Sequence, residues 1–147
     1  MRICIDSCVF IFGLQDECSP SARLLNAISP ELPVIIPRLV AHEVSRHLRT
    51  DEQRRAFYRL FYGRDFAVIV DMPVPPELVA KYVLCGLRAK ADAFIGAFAE
   101  WTQVDYLISC NRHFLRELQP PMFSVIDPAA FLERWETIKA ISHNSET

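Results

Sequence analysis

The chain is 147 residues long and carries a formal net charge of -2, with 51% apolar and 23% charged residues. A chain of this length buries roughly 68–70% of its unfolded surface as one domain, so it needs no disulfide or structural metal to form a core. The apolar fraction excludes a disordered chain, and only 4 glycines exclude a collagen-like or linker-dominated architecture.

Short apolar segments rich in Val, Ile and aromatic residues alternate along the chain with longer segments whose apolar residues recur every three or four positions. The short segments predict strands over residues 3–5, 34–36, 66–70, 106–108 and 123–126. The longer segments predict helices over residues 20–29, 38–48, 51–61, 77–85, 91–102, 112–118 and 128–138.

The predicted strands are continuously apolar rather than alternating, which favours a parallel sheet that is covered on both faces. Strands that alternate with helices predict an α/β domain. We therefore expect a three-layer α/β/α domain over residues 1–138, with a central, mostly parallel sheet of about five strands. Residues 139–147 are expected to form a loose tail.

The amino-terminal sequence and the cysteines favour a reducing, cytoplasmic location. Asp6 lies where a secretory signal would need apolar residues, and no apolar run is long enough to predict a membrane-spanning helix. The 5 cysteines are odd in number and form no CxxC pair, so neither a disulfide framework nor a zinc ribbon is indicated. Most are expected to be small buried hydrophobic residues without chemistry.

Three acidic residues lie where the predicted elements meet the carboxyl edge of the sheet. Asp6 ends the first strand, Glu43 lies early in the helix after the second strand, and Asp92 opens an otherwise apolar helix. Each alone is explained by helix capping or by the helix dipole. Together they would repel one another unless a cation lies between them. Mg²⁺ or Mn²⁺ fits, because hard cations take carboxylate oxygens and leave positions for phosphate.

One stretch of this acidic chain is basic. Residues 45–64 contain six arginines against Asp51 and Glu52, a local balance of +4. Such a cluster predicts contact with phosphates or with an acidic partner. The alternative is a solvated helix face, since Asp51 and Arg55 also form an ordinary i,i+4 pair.

Four segments, in this order and at these spacings, resemble the motifs of the PIN-domain nucleases, a family that includes the toxins of many prokaryotic toxin–antitoxin pairs. The segments comprise residues 3–7, 40–43, 90–97 and 105–114. The similarity spans roughly residues 1–136, and it implies that the predicted domain over residues 1–138 has a PIN-like fold.

The resemblance implies that Asp6, Glu43 and Asp92 hold one or two Mg²⁺ or Mn²⁺ ions and that Asn111 completes the catalytic set. Asn111 stands where many members carry a fourth acid, so it offers an amide oxygen but no charge. Cys8 stands where many members carry asparagine. This difference would change the hydrogen bonds around Asp6 and leave its carboxylate in place.

The same resemblance implies RNA as the substrate, a small antitoxin protein as a partner, and a homodimer. The residues expected to contact RNA are Ser7, Arg46, Lys90, Ser109, Arg112 and His113. The leading hypothesis is therefore a metal-dependent endoribonuclease that hydrolyses RNA phosphodiester bonds as the toxin of a toxin–antitoxin pair.

Two other functions fit parts of the sequence. A non-catalytic RNA- or protein-binding module would keep the fold and lose turnover, which the absence of a fourth acid would allow. A phosphotransfer domain of the receiver or haloacid-dehalogenase type fits less well, because it needs a second acid beside Asp6 and position 8 is cysteine.

Overall fold

The computed structural model describes residues 1–87, 90–118 and 122–146. In chain order, its elements are β1 (Ile3–Ile5), α1 (Ser7–Gln15), α2 (Pro20–Ala27), β2 (Val34–Pro37), α3 (Arg38–His47), α4 (Asp51–Arg59), β3 (Ala67–Val70), α5 (Pro76–Leu84), α6 (Lys90–Trp101), β4 (Tyr106–Ile108), α7 (Arg112–Glu117), β5 (Ser124–Ile126) and α8 (Pro128–Ser145). No helix in these ranges is long and apolar enough to cross a bilayer.

The five strands form one parallel sheet in the order β3-β2-β1-β4-β5, and each lies within one residue of its predicted position. Ile3, Cys4 and Ile5 in the central strand β1 are all 0% exposed. Because successive side chains of a strand point to opposite faces, both faces of the sheet are covered. The predicted three-layer α/β arrangement with a parallel sheet is confirmed.

The strand order places a topological switch point between β1 and β4. From β1 the chain continues to β2 and β3 on one side of the sheet, and it returns to β4 and β5 on the other side. In open α/β sheets the connections diverge at such a point and leave a crevice beyond the carboxyl ends of the strands. This crevice is where the strand-end residues of β1 and β4 lie.

Helix α1 over Ser7–Gln15 is an element that the sequence patterns do not predict. After Ser7 its residues are almost all apolar, so they show no helical alternation of apolar and polar positions. The physical reason is that α1 packs against α2, α3 and α4 and therefore has few solvent-facing positions. A helix that is apolar on most sides carries no amphipathic signal.

The last helix continues through most of the segment predicted as a loose tail. Helix α8 ends at Ser145 rather than at the predicted Ile138. Neither proline nor glycine interrupts it, and the hydroxyls of Ser142 and Ser145 donate to the carbonyls of Ile138 and Ile141. Residues 139–145 are thus helical, while the boundary of the domain at residue 138 stays a prediction.

Gly13 allows α1 and α2 to approach closely. A Cβ atom at this position would lie 2.7 Å from Leu25 Cδ1 and 3.0 Å from the carbonyl carbon of Ser21. The second atom belongs to the backbone of α2 and cannot rotate away, so a larger residue must push the two helices apart.

We expect Gly13→Ala to lower the free energy of unfolding by about 1–3 kcal/mol, the usual cost of overpacking. In an uncrowded helix the same substitution raises stability by up to about 1 kcal/mol through helix propensity. Urea denaturation followed by circular dichroism gives the sign of the change. A variant as stable as the parent, or more stable, would contradict the close packing of α1 on α2.

Candidate active site

The register of β1 and β4 places Asp6 beside Ser109 at the switch point. Ile5 pairs with Ile108, and the backbone N–H of Asp6 donates to the carbonyl oxygen of Ile108 at 2.9 Å. Asp6 and Ser109, which follow this pair, therefore lie side by side where the two strands end. Asp6 is 5% exposed and Ser109 is 0% exposed, so a carboxylate and a hydroxyl meet inside the protein.

Two short hydrogen bonds hold the Asp6 carboxylate. Its Oδ1 atom accepts from the backbone N–H of Ser7 at 2.8 Å, which makes Asp6 the N-cap of α1. Its Oδ2 atom accepts from the Ser109 hydroxyl, also at 2.8 Å. The capping role and a role in the site are thus compatible, because capping fixes the carboxylate in one orientation at the crevice.

The pKa of Asp6 is raised above its ordinary value, mainly because burial disfavours the charged form. Hydrogen bonds from Ser109 and Ser7 lower it in part, and the negative charges of Glu43 and Asp92 raise it further. Two acids that are far from Asp6 in the sequence therefore act on it in the folded chain. Asp6 is the buried member of this group.

The other predicted catalytic residues approach this point from separate elements. Glu43 lies in α3 and Asp92 in the first turn of α6, and both are partly buried. The backbone N–H of Asn111 donates to the Ser109 hydroxyl at 3.0 Å. Ser109 consequently joins Asp6 and the Asn111 backbone in one hydrogen-bonded network.

The acids share an electrostatic environment without forming a preformed metal cage. Within residues 1–87, 90–118 and 122–146, no group of three or more His, Cys, Asp and Glu side chains is arranged so that it could hold a metal ion. The charges of Glu43 and Asp92 nevertheless reach Asp6. The site is therefore a buried carboxylate at the carboxyl edge of the sheet, whose charged form is opposed first by burial and then by the charges of two other acids.

The residues predicted to contact RNA fall into three groups. Ser7 and Ser109 are buried, and both donate to the Asp6 carboxylate, Ser7 through its backbone N–H and Ser109 through its hydroxyl. Their contact with RNA stays a prediction. Arg46 and Arg112 are exposed. The side chains of Lys90 and His113 lie outside the described residues.

The sequence analysis linked Cys8 to the hydrogen bonds around Asp6, but it missed the part that Cys110 plays in this network. The backbone N–H of Cys110 donates to Cys8 Sγ at 3.1 Å. Cys8 Sγ in turn lies 3.8 Å from Asp6 Oδ2 and 3.7 Å from the Ser109 hydroxyl oxygen. Only the pairing of β1 with β4 brings these residues together, since they are remote in sequence.

A hydrogen bond between the Cys8 and Cys110 thiols shifts their pKa values in opposite directions. This bond, followed by burial, raises the pKa of Cys8, and the same bond lowers the pKa of Cys110. Cys4 is buried as predicted, but Cys8 and Cys110 are only partly buried, and Cys18 and Cys85 are exposed. The expectation that most cysteines lie in the core is therefore wrong. Cys18, Cys85 and Cys110 lie in loops or at a helix end, and Cys8 lies on one face of α1.

Comparison with known proteins assigns the family. The family model of the PIN domain matches residues 3–117. The chain belongs to the PIN domain family. The matched region of this PIN domain runs from β1 to α7 and includes Asp6, Glu43, Asp92 and Asn111. The resemblance noted in the sequence is confirmed.

The PIN domain is also similar to a chain in the crystal structure of VapBC2 from Rickettsia felis, which is bound to a DNA fragment from its promoter. The TM-score is 0.59 at 16% sequence identity, and the similarity covers 86% of this chain and 98% of that chain. This likeness confirms the PIN-like fold. No curated protein matches the chain at a significant level.

We expect Asp6→Asn to raise the free energy of unfolding at neutral pH in the presence of EDTA. The folded pKa of Asp6 lies above the ordinary value of 3.8, so the stability of the parent falls as the pH rises through the folded pKa. Asparagine carries no charge to bury. Urea denaturation should therefore show a stability difference that is small near pH 4 and grows towards pH 7.

Asp65→Asn is the matched control, because Asp65 is an exposed acid just before β3, at the opposite edge of the sheet. It should leave the pH dependence of stability unchanged. An Asp6→Asn protein that is less stable than the parent at pH 7, or a difference that does not depend on pH, would show that burial of the Asp6 charge is not costly.

Proposed function

We propose that this PIN domain is a metal-dependent endoribonuclease that hydrolyses RNA phosphodiester bonds. The observation that carries the proposal is the convergence of three acids at the switch point, where the charges of Glu43 and Asp92 act on the buried Asp6. Ligands of open α/β sheets bind at this place. PIN domains are generally nucleases, which supports this chemistry for the site.

The donor set fits a hard divalent cation. Carboxylate oxygens are the ligands that Mg²⁺ and Mn²⁺ prefer. A cation would offset both the burial of the Asp6 charge, which is the main cause of its raised pKa, and the added repulsion from Glu43 and Asp92. Asp6, Glu43 and Asp92 would hold the ion, and Asn111 could add an amide oxygen. Mg²⁺ keeps several water ligands, so the site need not supply a complete protein cage. When bound, the ion would make a water more acidic and offset charge on the phosphodiester.

The chain's own groups prepare Asp6 for this role. The Ser7 N–H and the Ser109 hydroxyl each occupy one lone pair of the carboxylate, and a carboxylate has about four such sites. Oxygen lone pairs therefore remain for a ligand while the group stays fixed. The Cys8 thiol, 3.8 Å from Oδ2, takes the place of the more usual asparagine at this position.

We assign contacts with the RNA backbone to residues around this edge of the sheet. Arg46 and Arg112 are exposed and can bind phosphates. Lys90, His113, Ser7 and Ser109 complete the set on the strength of the family resemblance. Binding through such groups weakens as the salt concentration rises, because each neutralised phosphate releases counterions.

The similarity to VapBC2, a toxin–antitoxin complex, supports a place for this chain as the toxin of such a pair. In that case a small antitoxin protein would hold the nuclease inactive in the cytoplasm. We also propose a homodimer, which would extend the basic surface available to RNA.

Incubation of the purified protein with total RNA in Mg²⁺ or Mn²⁺ at low salt tests the function. We expect discrete cleavage products, which should disappear in EDTA and fall by at least about 100-fold in Asp6→Asn and Asp92→Asn proteins, since each substitution removes charge that the ion needs. Asp65→Asn is again the control and should cleave like the parent.

Equal cleavage by the parent and by the Asp6→Asn/Asp92→Asn double variant would overturn the assigned roles. Absence of cleavage together with absence of Mn²⁺ binding in calorimetry would favour the non-catalytic binding module. Mn²⁺ binding that is lost in Asp92→Asn would support the metal site independently of any choice of RNA.

A further inference from the structure

Helix α4 and the turn that follows it carry an exposed row of alternating cationic and aromatic residues, here named the α4 stripe: Arg55, Tyr58, Arg59 and Tyr62. Their spacing of i, i+3, i+4 and i+7 places them on one helical face. The helical hydrogen-bond pattern continues past Arg59, because the Tyr62 N–H donates to the Tyr58 carbonyl at 2.9 Å. Together with the Asp51–Arg54 ion pair, the four side chains line a shallow groove of about 410 Å³.

The opposite face of this helix is anchored in the core. Phe57 is 0% exposed and Phe61 is 9% exposed, and both pack against Phe10 of α1 with ring centroids 5.1 and 6.0 Å away. The anchored face fixes the rotation of α4 about its axis. The α4 stripe is consequently held on the outside of a rigid helix.

Arg54 has a different role from its neighbours. Its guanidinium donates to the carbonyls of Ser45 and Leu48 at 3.1 and 2.8 Å, and it pairs with Asp51 at 2.9 Å. It therefore ties α4 to the end of α3. Arg55 and Arg59 are exposed and make no ion pair with any residue in the described ranges.

The stripe lies within the basic stretch of residues 45–64, which also contains Arg46, Arg49 and Arg64 outside α4. The whole chain carries -2 and residues 45–64 carry +4, so the rest of the chain carries -6. A polyanion would be repelled by most of the protein and attracted here. The surface thus has the charge of a phosphate-binding element on an acidic domain.

The two tyrosines distinguish this surface from a simple basic patch. Tyr58 is 45% exposed and Tyr62 is 88% exposed. The Tyr58 ring packs edge to face against the buried Phe57 ring, with the ring centroids 5.0 Å apart. The rings lie four residues apart, about 6 Å along the helix axis, and can serve as separate stacking platforms. Arginines interleaved with exposed rings are typical of surfaces that bind single-stranded nucleic acid.

We propose that the α4 stripe binds single-stranded RNA, with Arg55 and Arg59 on phosphates and with bases stacked on Tyr58 and Tyr62. The inference rests on the proposed function in that it takes RNA as the polyanion. An acidic protein segment is the rival occupant, and it would depend on the arginines without requiring the aromatic rings.

Binding of a fluorescein-labelled oligouridylate in EDTA tests the stripe without cleavage, in an Asp6→Asn background. Arg55→Gln/Arg59→Gln should weaken binding and reduce the magnitude of the slope of log affinity against log salt by about 1.4. Each of the two lost phosphate contacts on a single strand contributes about 0.7 to that slope. Tyr58→Ala/Tyr62→Ala should weaken binding by about 5-fold or more per ring and leave that slope unchanged. Tyr58→Phe/Tyr62→Phe should restore binding, because phenylalanine keeps the stacking face.

Arg23→Gln/Arg134→Gln is the matched control, since it removes two exposed arginines outside the stripe and the candidate active site. Stripe variants that bind like this control would overturn the proposal. So would a loss in the arginine variant without a loss in the tyrosine-to-alanine variant, or competition by polyglutamate as strong as by unlabelled oligouridylate at equal charge. The phenylalanine and glutamine variants keep the test valid if the alanine variant fails to fold.

Cleavage by the proteins with Asp6 intact separates this proposal from the nuclease function. A parent that cleaves RNA while its stripe variants bind normally overturns the stripe and leaves the nuclease standing. A parent that binds oligouridylate through the stripe but never cleaves RNA sustains the stripe and overturns the nuclease.

Discussion

The hydrogen bond between the Ser109 hydroxyl and Asp6 Oδ2 joins the carboxyl ends of β1 and β4, the two strands that flank the topological switch point. The second bond, from the Ser7 N–H to Oδ1, makes the same carboxylate the cap of α1. A single buried acid therefore sets the start of the first helix and the polar floor of the crevice. The network of Cys8, Ser109 and the Asn111 backbone is built around it.

This arrangement carries a cost in stability, which the proposed metal site would explain. A buried carboxylate is unfavourable, and the nearby charges of Glu43 and Asp92 make it more so. A domain selected for stability alone would place neutral residues at these positions. This electrostatic cost is confined to one edge of the sheet, because the central strand β1 and its neighbours are otherwise apolar and well buried.

The basic stretch of residues 45–64 gives this acidic chain a positively charged surface. An acidic chain that binds a polyanion needs a surface of opposite potential. This stretch supplies one, and within it Arg55 and Arg59 of α4 make no ion pair in the described ranges. The buried Phe57 and Phe61 hold this helix to α1, the helix that Asp6 caps. The proposed RNA surface and the candidate active site are thus connected through one packed helix.

The sequence alone determined the class of fold and predicted the candidate acids, because strand and helix patterns are local and acids at strand ends stand out against apolar neighbours. It also carried the PIN-domain motifs in their order. It did not reveal α1, whose apolar faces lack a helical period, or the end of α8, where no residue breaks the helix. Only the tertiary structure decided that Cys8 and Cys110 join Asp6 and Ser109, and that Arg54 is structural while Arg55 and Arg59 face solvent. The physical reason is that strand pairing and helix packing join residues far apart in the chain, and no local pattern encodes which side chains they bring into contact.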